Sequence, residues 1–480
     1  MQSSLQNKAV KGVIWSAVER FSVQGIQFIL SIVIARLVAP SEYGLIAMLG
    51  IFFAIAQTFI DSGFSNALIQ KQDCSDIDFS TVFYFNIVLA VLFYLLLFFT
   101  APFIADFYRE PLLTVVTRWV GLNIVISAFS IVQRAKLTIQ LDFKTQAKAS
   151  LVSVLLSGLA GIIMAWLGYG VWALVTQALL STFLNSLLLW ILSRWIPLWA
   201  YSWQSFKRLF AFGSKLLLSG LLHTLYLNLY SLVIGKKYSA TNVGYYNRAY
   251  SLAQYPSVNI VGVITRAIYP VQCELQNDEK RLQDSFLQYL RMACYIVFPL
   301  MVGVAVLAQP LVLLVLTEKW LPAAELLSIL CLAYMWYPVM VINNQILNVK
   351  GRSDYFLKAE IIKKIVAIAI LFVTLPFGLK VLCWGIVLYN ILDCVIIIHF
   401  TKKVIKTGYR EQIQTIFPLF AINMIMAGSV WRVSTLFHHT WQQLAGGIIF
   451  GIGIYIALSL LFKVDLLNKF IFLLKLKNKQ

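Results

Sequence analysis

The sequence predicts an all-α polytopic membrane protein of about fourteen transmembrane helices: two six-helix lobes related by pseudo-symmetry, then two further helices, with both termini in the cytoplasm. Three observations lead there. The first is composition. Of 480 residues, 60% are hydrophobic and only 12% charged, against roughly 45–50% and about 25% in a soluble domain. That deficit of charge excludes an ordinary water-soluble enzyme, and the hydrophobicity excludes a disordered chain. The second is the recurrence of apolar stretches of about 20 residues, the length needed to cross a bilayer. The third is the placement of the basic residues between those stretches.

In chain order, the apolar stretches bounded by polar or Pro/Gly punctuation run over 13–36, 43–66, 79–105, 112–134, 146–168, 170–193, 209–234, 242–270, 286–316, 322–348, 357–377, 379–400, 413–432 and 441–462. The first follows a short basic segment, Met1 to Lys11, and runs past Arg36 with no small-residue cleavage site. It therefore reads as a membrane helix and not as a cleaved signal peptide. Several stretches exceed the bilayer and should tilt or break, with Pro256, Pro270, Pro299, Pro310 and Pro338 as kink or end positions. The six cysteines form no CxxC pair and no metal-ligand spacing, and read as small apolar filler.

An even number of spans puts both ends on one side. With the N-terminus inside, 25 of the 39 Lys and Arg residues fall in cytoplasmic segments and 7 outside, the remainder lying within helices. The net charge of +19, which in a soluble protein would suggest nucleic acid, is thus mainly a topology signal, and no nucleic-acid partner is expected. The chain also repeats. Gly44 matches Gly244 at an offset of 200, Asp142-Phe143 matches Asp354-Tyr355 at 212, and Trp172 matches Trp384 at 212, with Pro102 and Pro310 in order between them. The halves are residues 1–200 (helices 1–6) and 201–405 (helices 7–12), and 406–480 carries the two appended helices. Six is even, so the halves enter from the same side as a parallel repeat of the transporter type.

An ionisable residue inside a membrane helix is expensive and by default faces a cavity or a partner. Helix 1 carries Ser16, Arg20, Gln24, Gln27 and Ser31 at steps of three and four, one helical face. Helix 7, its repeat mate, carries Lys215, Ser219, His223, Tyr226 and Tyr230 at matching steps, and helix 8 carries Arg248, Tyr255, Asn259 and Arg266. Interhelical hydrogen bonding also uses Ser, Gln and Asn, but it rarely needs Arg, so these stripes point to a wet, cationic cleft between the halves. A guanidinium presents a planar fork suited to phosphate or carboxylate. Asp61 and Asp393 are the acids within helices that could carry a coupling H+ or Na+, beside a structural role as partners of a cation. No hydrolytic or transferase constellation, metal-ligand set, cofactor site or Walker motif is visible, and His438-His439 reads as an adventitious loop pair.

Several strings resemble the Wzx-type polysaccharide and O-antigen flippase family, a branch of the superfamily that also holds the MATE multidrug exporters and the lipid II flippase. They are Leu37-Val38-Ala39-Pro40-Ser41-Glu42-Tyr43-Gly44 after helix 1, Asp61-Ser62-Gly63-Phe64-Ser65-Asn66-Ala67-Leu68-Ile69-Gln70 after helix 2, Ala105-Asp106-Phe107-Tyr108, Gly168-Tyr169-Gly170-Val171-Trp172-Ala173-Leu174, Gly244-Tyr245-Tyr246-Asn247-Arg248-Ala249 and Thr265-Arg266-Ala267-Ile268-Tyr269-Pro270. Together they cover residues 10–325. Thr317-Glu318-Lys319-Trp320 departs from the family, which usually has Gly first. The resemblance implies a MATE-like V of two lobes, alternating access, and a cationic cavity for an undecaprenyl-diphosphate-linked oligosaccharide in the bacterial cytoplasmic (inner) membrane. It implies membrane lipid and polysaccharide-assembly proteins as partners. Arg20, Arg248, Arg266 and Lys215 would meet the diphosphate, and Gln24, Gln27, His223, Tyr226, Tyr230, Tyr255 and Asn259 the sugars.

Two other classes compete. A MATE-like ion-coupled exporter of organic cations would prefer an acidic, aromatic cavity, which the excess of Arg disfavours. A membrane glycosyltransferase or polymerase of the same pathway would need catalytic carboxylates, commonly on a sizeable exterior loop. Here Glu42, Asp106, Glu110, Glu318 and Glu325 are scattered over short loops.

Overall fold

The structure, a computed structural model, describes Trp15, residues 22–61, Phe64, Leu68, Ile69 and residues 73–462, with the backbone alone at 61, 211–216, 218, 219, 222 and 223. The described residues are helical throughout, with no strand among them. In order the helices are α1 (Ser22–Leu37), α2 (Pro40–Asp61), α3 (Asp76–Tyr108), α4 (Leu112–Ala128), α5 (Ile131–Ile139), α6 (Phe143–Trp166), α7 (Val171–Ser193), α8 (Trp203–Lys237) and α9 (Ala240–Glu274). They continue as α10 (Glu279–Val306), α11 (Ala308–Val315), α12 (Leu321–Tyr334), α13 (Tyr337–Val349), α14 (Ser353–Thr374), α15 (Leu379–Ile405), α16 (Tyr409–Ser434) and α17 (Thr440–Leu461). Among the described residues, ten helical segments are long and apolar enough to cross a membrane. Their outer faces expose large apolar groups such as Trp166, Phe103 and Ile449, as a lipid-facing surface must and a water-facing one could not. The chain is a multi-pass membrane protein.

Four of the predicted spans fall outside that set of ten. One is 13–36, of which α1 is the described part. The other three are α8, whose side chains are described only in part, and α9 and α14, which are long enough but too polar or too charged. All four are spans in which the sequence places intramembrane charge. Three spans are also broken: the fourth divides into α4 and α5 at Phe129-Ser130, the ninth into α10 and α11 at Leu307, and the tenth into α12 and α13 at Met335-Trp336. Pro310 and Pro338 sit just after breaks, where a missing N–H costs little, whereas Pro256, Pro270 and Pro299 lie inside uninterrupted helices.

The chain forms two compact units, residues 1–244 and 245–480. In the first, α3 starts with a reciprocal capping box between Ser75 and Asp78. The linker after α7 is stitched to that start. Trp195 Nε1 donates to Asp76 Oδ1, the Leu198 and Ser202 amides donate to Ser80 Oγ and Thr81 Oγ1, and Arg208 pairs with the buried Asp78 at 3.1 Å. These bonds fasten α8 to the first unit, which runs on to Gly244, past residue 200 where the sequence pattern would place a repeat boundary. α8 then packs along α2 through small and polar groups. Thr58 Oγ1 and Thr224 Oγ1 lie 3.0 Å apart, and Gly220 faces the Thr58 methyl, a bond worth about 0.6 kcal/mol within a membrane.

Two of the familiar strings acquire a physical reason here. Glu42 Oε2 accepts from the Ala39 amide at 3.0 Å, capping the start of α2, and its carboxylate would have to shift to admit a Cβ on Gly170. Gly170 also adopts a φ of 56°, which favours glycine independently. At the other side of the same turn, a Cβ on Gly44 would overlap the Ala240 carbonyl, and a Cβ on Gly244 would overlap the Pro40 carbonyl. The two contacts are related by the same offset of 200 residues. Of the other small residues in the polar helices, Gly25 and Gly262 have no neighbour within 4 Å of a built Cβ.

In the second unit α16 and α17 are fastened to the helices before them. Asn343 and Gln412 exchange hydrogen bonds of 2.9 and 3.0 Å, Tyr455 donates to the Tyr295 carbonyl at 2.7 Å, and Gly447 admits the Leu307 side chain. Between α11 and α12 the turn opens on Thr317 at φ 88°, ψ 172°. That region is essentially reserved for glycine and costs of order 1–3 kcal/mol for other residues. Thr317→Gly is therefore expected to stabilise the protein by about 1 kcal/mol after glycine's own entropy cost, read as a later unfolding midpoint in detergent. An unchanged or earlier midpoint would show that the turn is not strained.

Candidate functional site

α9 is the clearest functional element. Arg248, Tyr255, Asn259 and Arg266 are separated by 7, 4 and 7 residues on one continuous helix, and at 100° per residue these steps return to the same face within about 20°. At 1.5 Å per residue the two arginines are about 27 Å apart, most of the hydrocarbon thickness of about 30 Å. They are too far apart to grip one phosphate group together. Arg248 is held from below: its guanidinium lies 5.4 Å over the Trp320 ring, and Tyr245 meets the edge of Trp320 while donating to the Lys319 carbonyl at 3.2 Å. Arg248 has further partners among the described residues. Arg266 and Tyr255 are exposed and Asn259 is half-buried.

The other predicted residues divide by element. Arg20 lies outside the described residues, and the side chains of Lys215, His223 and Asp61 are likewise outside the description. Gln24 on α1 is half-buried and Gln27 exposed. Tyr226 and Tyr230 on α8 are half-buried, each with partners of its own.

Asp393 on α15 is 4% exposed and meets Lys363 of α14, itself 1% exposed, at 2.8 Å. The angle of that contact falls outside hydrogen-bonding range, so charge holds Oδ1 while Tyr389 donates to Oδ2 at 3.4 Å. Lys363 donates instead to Asn344 Oδ1 and Glu360 Oε1, both at 3.3 Å, and Glu360 also faces Lys364 at 4.0 Å. Two cations and two carboxylates thus neutralise one another at the α14–α15 seam. The ammonium of Lys363 stands where an external cation on Asp393 would otherwise bind.

The first unit holds a cavity of about 440 Å³, lined from α1, α2, α4, α5, α6 and α7. Gln27 opens onto it, beside Gln57, whose Oε1 accepts from Ser127 Oγ at 3.3 Å. The remaining polar lining, including Ser130, Arg134, Ser181 and Asn185, is not among the residues that sequence reasoning singled out. The signal was present. Ser127, Ser130, Arg134 and Thr138 follow one another at steps of 3, 4 and 4, the same helical stripe seen in helices 1 and 7.

The polysaccharide biosynthesis protein family model matches residues 33–325. The teichuronic acid biosynthesis protein TuaB of Bacillus subtilis (strain 168) is 26% identical, covering 92% of this chain and 92% of its own. The lipopolysaccharide biosynthesis protein WzxC of Escherichia coli (strain K12) is 26% identical over 88% of this chain and 86% of its own. Among solved structures, the lipid II flippase MurJ in an inward closed conformation superposes with a TM-score of 0.76, covering 95% of this chain and all of its own at 14% identity. An inward-facing MATE multidrug transporter superposes at 0.62, with 16% identity and 82% of this chain covered. At those identities the two structures establish a shared fold.

Proposed function

This chain belongs to the polysaccharide biosynthesis protein family, and we propose that it is a flippase that carries an undecaprenyl-diphosphate-linked oligosaccharide across the bacterial cytoplasmic membrane by alternating access. The observation that carries the reading is the coincidence of two properties. α9 is too polar to count among the ten apolar spans, and its Arg248, Tyr255, Asn259 and Arg266 lie along a single polar and cationic face. Polarity of that kind has a cost in lipid and is retained where it lines a substrate path. A diphosphate with several sugars cannot cross about 30 Å of hydrocarbon unaided. Arg248 and Arg266, with Arg20 and Lys215, form successive stations for the diphosphate. Gln24, Gln27, His223, Tyr226, Tyr230, Tyr255 and Asn259 supply hydrogen bonds and stacking faces for sugars.

In this reading the chain crosses the membrane fourteen times with both ends in the cytoplasm, residues 1–200 and 201–405 are the repeated lobes, and 406–480 is an addition. Ion coupling, by H+ or Na+, runs through Asp61, because Lys363 already meets the charge of Asp393. The test is translocation of a polyprenyl-diphosphate oligosaccharide in proteoliposomes. Arg248→Ala is expected to slow transport at least about tenfold, the loss of one charge-assisted contact, with Arg248→Lys intermediate because an ammonium keeps charge but not the fork. Wild-type rates in an Arg248→Ala protein that inserts normally would remove Arg248 from the path.

A further inference from the structure

The cavity of the first unit has a chemical polarity that narrows its ligand. Four of its lining hydroxyls, Ser130, Thr138, Ser153 and Thr182, donate to backbone carbonyls three or four residues earlier at 2.7–3.0 Å. A hydroxyl has one proton to give, so these groups face the cavity as acceptors. Asn185 Oδ1 is buried and accepts no hydrogen bond among the described residues. Among the described residues the lining contains one cation, Arg134, and no carboxylate.

A bare phosphate, which only accepts, could take Arg134 and the amide NH2 groups of Gln27, Gln57 and Asn185 but would leave the Ser and Thr oxygens and Asn185 Oδ1 without donors. A metal cation would suit the acceptors and be repelled by the guanidinium. The complement of this wall is a ligand with several hydroxyl donors and one negative charge. We infer that the cavity binds an anionic sugar ring of the transported oligosaccharide, the ring hydroxyls donating to the Ser, Thr and Asn acceptors and the acid accepting from Arg134. This rests on the transport reading for the origin of the sugar. The acid is either a ring carboxylate or a phosphate ester on the ring, which have in common the charge that Arg134 recognises.

The experiment uses the full chain in nanodiscs and three soluble probes, glucose, glucuronate and glucose 1-phosphate, with binding read by saturation-transfer NMR titration. At least one acidic probe is expected to bind about tenfold more tightly than glucose, the scale of one charge-assisted bond. Whichever acid binds more tightly identifies the source of the charge. Arg134→Gln should reduce that preference to about twofold or less, Arg134→Lys should retain part of it, and Thr182→Val with Asn185→Leu should weaken all three probes together. Equal binding of glucose and both acids, a preference that survives Arg134→Gln, or no binding of any probe to the folded wild-type protein would overturn the inference. No lipid-linked substrate is involved, so the cavity can fail this test while Arg248-dependent transport stands, and the converse.

Discussion

Lys363→Met should destabilise the protein by about 3–5 kcal/mol, and Asp393→Leu by a similar amount, whereas the double substitution should return close to the wild-type midpoint. The reason is burial. Lys363 and Asp393 are 1% and 4% exposed at the α14–α15 seam, and each is the counter-charge of the other at 2.8 Å. Removing Lys363 leaves the Asp393 charge without a counter-ion where water cannot reach it, and removing Asp393 leaves buried Lys363 with only the more distant Glu360 at 3.3 Å. Removing both exchanges a neutral polar pair for apolar packing. Lys363→Met also takes from Glu360 the nearer of its two cations, at 3.3 Å, but Glu360 is partly exposed and keeps Lys364 at 4.0 Å, so this loss is small beside that of the buried pair. Denaturant unfolding of the four proteins in detergent measures the coupling. Strictly additive single effects would mean that the two residues do not act as a unit.

Gly44→Ala should be among the most damaging conservative changes in the chain, costing about 3 kcal/mol, the upper range of overpacking. Alanine at an ordinary helical glycine gains about 1 kcal/mol, so the expected sign is inverted. The obstacle at Gly44 is the Ala240 carbonyl, and at Gly244 it is the Pro40 carbonyl. Both are backbone atoms and neither can rotate aside, so the first turns of α2 and α9 would have to separate. Gly244→Ala should match Gly44→Ala in size, and Gly262→Ala, with no atom within 4 Å, should be neutral or stabilising. Unfolding midpoints of the three variants check this. A harmless Gly44→Ala would mean that the close approach is not needed for stability.

The helical, membrane-spanning fold was legible because hydrophobic run length is a local property of the sequence. So were the polar helices, whose stripes at steps of three and four do not depend on neighbours. What could not be read is what each stripe faces. Lys363 and Asp393 were both visible as charges within spans, but their pairing depends on the register of α14 against α15, which no spacing along one helix reveals. Asp78, in a first turn that reads as solvated, is buried under Arg208 because the linker 194–202 folds back over it. The stripe of Ser127, Ser130, Arg134 and Thr138 was hidden for a different reason. Counting Arg134 as a cytoplasmic topology marker explained it too early, and the break between α4 and α5 that turns it toward the cavity left no clear Pro or Gly signal. The departure at Thr317 was read as a changed loop turn, and its φ of 88° gives the physical reason glycine is usual there.

The central claim is tested most directly by reconstituting the wild-type protein in proteoliposomes and following the transbilayer movement of a fluorescent polyprenyl-diphosphate oligosaccharide. The account predicts movement well above that in protein-free vesicles, and markedly slower movement when the same glycan is carried on a neutral lipid lacking the diphosphate. Movement no faster than in protein-free vesicles, or equally fast with and without the diphosphate, would contradict it.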